Sequence, residues 1–230
     1  VSAALILRKP GRHGRRDILS LLAGAGLLMM KVLAYGFFVT ASPGFLSGDT
    51  LVRFALIQPN IAQRDKWDPV KRRDILDQLK ILSMEAAKEQ PDVIVWPESA
   101  LPAAPHRLDA DMAFAKGLAA RLRVPLVLGY VRAQGQTYYN SAGLISSVGN
   151  LEQEYDKLHL VPFGEFVPLR GVFPFLSNIV PVDDMSPGKK PVVFSLGEGQ
   201  DQLRMSVLIC FEDAVDGVAR RQVNAGAGML

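Results

Sequence analysis

Residues 18–41, ILSLLAGAGLLMMKVLAYGFFVTA, constrain this chain more than any other stretch. The run is apolar over a length that crosses the hydrocarbon core of a bilayer at about 1.5 Å rise per residue. Lys31 interrupts it. A charge near the middle of such a helix costs about 3 kcal/mol on insertion, which is tolerable where the ammonium faces other helices or a polar cavity. Gly24, Gly26 and Gly36 permit close helix packing. Just upstream, RKPGRHGRR (8–16) gathers a cluster of basic residues.

Two readings of this region stay open. One is a transmembrane helix. The other is a cleaved signal peptide, with a basic leader, an apolar stretch 18–30 and VTA as the small-residue site. VSAALIL (1–7) favours the first, because it reads as the tail of an earlier apolar helix, and the chain opens on Val1. The expectation is therefore a membrane region, 1–50, with a short cytoplasmic loop 8–16 and a helix 18–41. The positive-inside rule then places everything after Ser42 on the outer face. A helix buried in a soluble core fits the length and the basic flank less well.

The charge balance, 26 basic against 23 acidic residues, is nearly even. With one basic cluster only, nucleic acid is not an expected partner. The single cysteine, Cys210, rules out an internal disulfide framework and a Cys-rich metal site. His13, His106 and His159 have no ligand spacing, so a metal is not expected, and no cofactor is expected either.

From residue 51 onward the pattern changes to that of an α/β domain, 51–230. VRFALIQ (52–58), DVIVW (92–96) and PLVLGY (125–130) read as strands. The segments 68–89 and 109–123 read as helices. Asp68 is placed to cap the first, Pro69 fits its first position, and Ile75, Leu79 and Leu82 form an apolar stripe. YNSAGLIS (139–146) and 151–161 suggest a hairpin through Gly149-Asn150, and 191–196 and 203–209 add strands. A last helix begins near Asp213. Strands alternating with helices and followed by hairpins give a mixed sheet. The loop 162–190 is rich in Pro, Gly and Phe, among them Phe173 and Phe175. It is expected to be a mobile apolar lid.

Three residues at strand ends form a workable catalytic set. Cys210 ends the run RMSVLIC, and Glu98 follows DVIVW, where ligand sites of α/β sheets collect. Lys157 lies in YDKLHLV. A thiol needs deprotonation to attack. A nearby carboxylate can take its proton, and a fixed ammonium can stabilise the oxyanion that follows. The product is a thioester that passes its acyl group to water or an amine. Each residue also has a plain structural reading: a buried thiol, a helix cap and a solvated edge charge.

QPNIAQRDKWDP (58–69), VWPESALP (95–102), YDKLHLVPFGEFVP (155–168) and ICFED (209–213) carry a family resemblance. The chain resembles the nitrilase, or carbon–nitrogen hydrolase, superfamily. It is most similar to the branch that transfers fatty acyl chains to bacterial lipoproteins, and KLHLVPFGEFVP is the discriminating string. The resemblance implies a nitrilase-like αββα sandwich after a transmembrane helix. It implies Glu98 as general base, Lys157 as oxyanion stabiliser and Cys210 as nucleophile, with Glu165, Glu212, Trp67 and Phe211 in support. It implies a phospholipid acyl donor, an apolipoprotein amine as acceptor, and a multi-pass enzyme of the bacterial inner membrane with its catalytic domain on the periplasmic face. The enzyme is expected to act as a monomer. Phe211 departs from the tyrosine common at that position, so a role for the hydroxyl would be lost. The resemblance also implies further segments beyond both ends of the chain. A small-amide or nitrile hydrolase is the alternative, and a tethered domain that binds lipid or peptide without catalysis is a third.

Overall fold

The computed structural model describes residues 12–41, 51–102, 108–168, 184–197 and 202–230. The chain divides into two compact units, Val1–Leu51 and Val52–Leu230. In the first, a single helix, α1 (Arg12–Ala41), is described. No proline interrupts it. From Asp17 to Phe38 its side chains are exposed on every face, and by length and composition it can cross a membrane.

The second unit runs β1 (Phe54–Leu56), α2 (Arg72–Ala86), β2 (Val93–Val95), α3 (Leu108–Leu122), β3 (Leu126–Gln134), β4 (Thr137–Ile145), β5 (Leu151–Asp156), β6 (Phe194–Leu196), β7 (Leu203–Met205) and α4 (Asp216–Asn224). Strands β1 to β5 form one sheet in that order, and β6 pairs with β7 in a second. β1, β2 and β3 are parallel, so a helix bridges each step, whereas β3, β4 and β5 are antiparallel and joined by tight turns.

Period-two alternation on the central strands separates two cores. Leu126 and Leu128 point to one face, where they meet Ile75 and Leu79 of α2 and Ala115 and Leu118 of α3. Val127, between them, joins the opposite core with Ala142, Tyr155, Phe194 and Met205. There the second sheet packs on the first. Trp96 lies under the helices and donates its indole N–H to Ser83 Oγ at 2.9 Å. Beyond β7 the chain crosses through α4 and returns parallel to Met205 at Met229. Ser206 N donates to Met229 O at 2.9 Å, and α4 buries Val218 and Gln222. The layers are those of a nitrilase-like αββα sandwich.

Several expected boundaries move. The strand read over 203–209 pairs only at Leu203–Met205. Residues 206–209 lie outside any strand, so Cys210 follows a loop rather than a strand. The first helix starts at Arg72, not after Asp68, because Asp68 Oδ1 instead accepts Val70 N–H at 2.9 Å and caps a preceding turn. The turn at Gly135 (φ 62) between β3 and β4 was not expected, because it lacks a strong turn dipeptide. Most of the expected lid, 169–183 with Phe173 and Phe175, lies outside the described residues.

Candidate active site

The turn after β2 carries Glu98. Trp96 N–H donates to Val127 O and Ala100 N–H to Gly129 O, each at 2.8 Å, so Pro97-Glu98-Ser99 arches over β3. A Cβ on Gly129 would stand 2.7 Å from Glu98 Cα and 2.8 Å from Pro97 O and Ser99 N. Only glycine lets the arch come this close. Ser99 completes the arch at φ 48. Lys66 Nζ donates to Glu98 O at 2.9 Å. Burial lowers the Lys66 pKa, and the Glu98 charge offsets part of that.

Lys157 follows β5 directly and is 1% exposed, so it is not the solvated edge charge that a strand-end lysine often is. Its N–H donates to Asn140 O at 2.9 Å. Its ammonium reaches Glu165 Oε1 at 3.0 Å and Oε2 at 2.9 Å. Burial pushes the Glu165 carboxyl upward. Donors from Asn140 and Val161 N–H, together with the Lys157 ammonium, outweigh burial and hold it below the usual carboxylate range. Asn140, on β4, links this pair to Glu98. Its Nδ2 lies 2.6 Å from Glu98 Oε1 and 2.8 Å from Glu165 Oε1.

Cys210 opens a short 3-10 turn, Cys210–Ala214, at φ 54, a left-handed conformation uncommon outside glycine. Glu212 holds this turn. Fully buried, it accepts Ile209 N–H at 2.9 Å, Leu158 N–H at 2.7 Å, His159 N–H at 3.0 Å and the Tyr155 hydroxyl at 2.9 Å. One carboxylate thus fastens the residue before Cys210 to the two residues after Lys157. Burial, then the Glu212 charge, raise the Tyr155 pKa, so the phenol keeps its proton for this bond.

Glu98, Asn140 and the exposed Cys210 line one cavity of about 600 Å³, walled mostly by apolar residues such as Trp96, Val127 and Leu208. Lys157 is not among the lining residues. It is bonded instead to Glu165 and to the Asn140 carbonyl. The arrangement offers an exposed thiol, a carboxylate on the same cavity and a desolvated ammonium one hydrogen-bond chain away. Of the other expected residues, Trp67 is 43% exposed, beside Lys66 in sequence, and Phe211 is 56% exposed beside Cys210.

Asn140, Lys66, Tyr155 and Gly129 were not singled out from sequence. Asn140 left one usable signal: an amide within the apolar strand YNSAGLIS. Gly129 left another, a glycine inside a strand that marks close backbone approach.

The sequence profile of the carbon–nitrogen hydrolase family matches residues 53–230. An apolipoprotein N-acyltransferase from Geobacter metallireducens is 35% identical over 97% of this chain, which spans 42% of that relative. One from Allorhizobium ampelinum is 34% identical over 91% of the chain, and 41% of that relative is covered. The chain thus spans well under half the length of these curated relatives. Among solved structures, an amidase from Nesterenkonia superposes with a TM-score of 0.57 at 20% identity, over 79% of this chain and 65% of its own. A carbon–nitrogen hydrolase from Helicobacter pylori superposes with a TM-score of 0.56 at 17% identity, over 76% of this chain and 57% of its own. With its layered sheets, a profile match across the whole second unit and these relatives, the chain belongs to the carbon–nitrogen hydrolase family.

Proposed function

We propose that this chain carries the catalytic centre of an apolipoprotein N-acyltransferase. One observation carries the reading: the similarity to the Geobacter relative covers 97% of the chain, and so includes α1. A match confined to the second unit would suit a small-amide hydrolase equally well. The superposed amidases share the fold with both readings.

In the proposed reaction, Glu98 takes the proton of Cys210 Sγ, and the thiolate attacks the ester carbonyl of a phospholipid. The tetrahedral oxyanion forms near Lys157. An ammonium has three N–H groups, and Glu165 occupies two, which leaves one for the oxyanion once bound substrate draws the ammonium to the cavity edge. Collapse expels the lysophospholipid alkoxide, which recovers the proton from Glu98, and leaves a thioester on Cys210. The α-amino group of a diacylglyceryl-cysteine then attacks the thioester. Glu98 accepts the amine proton and returns it to the departing Cys210 thiolate, and an amide bond remains.

The apolar walls of the cavity suit an acyl chain, which leaves the bilayer without entering water. Glu165 would hold the Lys157 ammonium, and Glu212 would hold the turn that presents the thiol. Trp67 and Phe211 would offer aromatic faces to the lipid. In this reading α1 spans the bacterial inner membrane, the second unit faces the periplasm, and the enzyme works as a monomer.

Mass spectrometry of the full-length protein after exposure to phospholipid tests the reading. The expected result is an acyl adduct on Cys210 that transfers to a diacylglyceryl lipopeptide, and loss of both in Cys210→Ala. Ammonia release from a small amide, with no adduct from phospholipid, would establish the hydrolase instead.

A further inference from the structure

Asn140 is 3% exposed and stands mid-strand on β4. Its Nδ2 reaches Glu98 Oε1 at 2.6 Å and Glu165 Oε1 at 2.8 Å, while its backbone carbonyl accepts the N–H of Lys157 at 2.9 Å. Its amide oxygen, Oδ1, is buried with no hydrogen-bond partner among the described residues. The orientation is nevertheless determined. Turning the amide over would set Oδ1 against two carboxylate oxygens and lose both bonds. Among the described residues both amide hydrogens serve carboxylates while the acceptor finds no partner, an imbalance that a purely structural asparagine gains nothing by keeping.

We propose that Asn140 is the positioning residue of this site, a single amide that clamps Glu98 and Glu165 and so aims Glu98 across the cavity toward Cys210. The inference rests on the acyl-transfer reading only for the roles of Glu98 and Cys210. Without the bridge, two carboxylates would face each other across the space Nδ2 now fills, and their repulsion would swing Glu98 away. The charged groups around the amide are Glu98 and Glu165 themselves, Lys157 bonded to Glu165, and Lys66 on the Glu98 carbonyl. None of the cations donates to both carboxylates in the way Asn140 does.

The test is the pH dependence of Cys210 alkylation by iodoacetamide in the full-length protein, for Asn140→Ser and for the isosteric Asn140→Asp. Both remove the bridging amide group. Iodoacetamide is neutral and small, and mass spectrometry of the peptide that contains Cys210 reads its alkylation apart from any other thiol. Alkylation is expected to slow about tenfold at neutral pH, as for loss of a hydrogen bond to a charged group. Its acid limb is expected to move to higher pH, because both carboxylates of the clamp lose a donor that favours their charged forms. A wild-type rate and profile in either folded variant would overturn the proposal, even if its melting temperature falls. Alkylation needs no acyl donor. Failure of phospholipid to acylate Cys210 would therefore remove the acyltransferase reading while leaving the role of Asn140 to be decided by this profile.

Discussion

Glu212 shows how one side chain can set the geometry of residues on either side of a site. Its two oxygens serve three backbone N–H groups and the Tyr155 hydroxyl, all from within the protein interior. The sequence suggested a helix-start charge, because acids commonly follow a turn into a helix. Burial changes the meaning of that charge. In Glu212→Gln the new amide group cannot accept the N–H groups it would face, so at least one backbone donor is left without a partner. The expected cost is about 3 kcal/mol, against about 1 kcal/mol for Tyr155→Phe, which removes only the hydroxyl. Chemical denaturation of both variants measures the difference. Equal stabilities would mean that the backbone bonds of Glu212 contribute little. Cys210 alkylation is also expected to slow more in Glu212→Gln, because Ile209 then no longer fixes the φ 54 turn.

The elements that hold the site are two loops stacked on strands, and their closeness depends on β3. Gly129 is where the Glu98 arch meets the sheet, and a methyl group there would press on backbone atoms at 2.7 and 2.8 Å. Backbone cannot rotate aside as a side chain can, so the arch must lift. Gly129→Ala is expected to cost about 2 kcal/mol in stability and about a hundredfold in the proposed acyl-enzyme formation, since displacement of about 1 Å suffices for that. Gly117→Ala, in α3 with nothing within 4 Å of the added methyl, is the control and is expected to stabilise by about 1 kcal/mol. Adduct formation at the wild-type rate in Gly129→Ala would show that the arch tolerates the shift. This scale also shows what was legible in the sequence. Helices α2 and α3, the parallel strands and the β4–β5 hairpin follow from periodicity, because a buried face repeats along the chain. Glu98, Lys157 and Cys210 were visible as reactive groups at the ends of apolar runs and as family motifs. The bridge through Asn140 and the overreach of 203–209 were not, because both depend on contacts distant in sequence. An apolar segment such as 206–209 looks like a strand whether or not a ladder forms beside it.

At the scale of the whole molecule, the two units differ in where their apolar residues go. The second buries them in two cores on opposite faces of one sheet. α1 leaves Leu22, Leu28, Phe37 and its other apolar residues between Ile18 and Phe38 exposed on all sides, with Leu28 at 66% and Phe37 at 75%. A soluble surface helix keeps one polar face, and α1 has none between Ile18 and Phe38, where only Ser20, Lys31 and the Tyr35 hydroxyl are polar. Transfer of that surface out of water outweighs the cost of about 3 kcal/mol for Lys31, because each fully buried Leu or Phe side chain contributes about 2 kcal/mol. The protein is therefore expected to float with liposomes and to stay with them through washes in high salt and alkaline carbonate. Lys31→Leu should leave that retention unchanged. A Leu27→Arg/Leu28→Arg variant, which adds two charges to the middle of the helix, should weaken it. Release of the unaltered protein by salt alone would mean that it is held at the surface by its basic residues, and α1 would then need a protein partner rather than lipid to cover it.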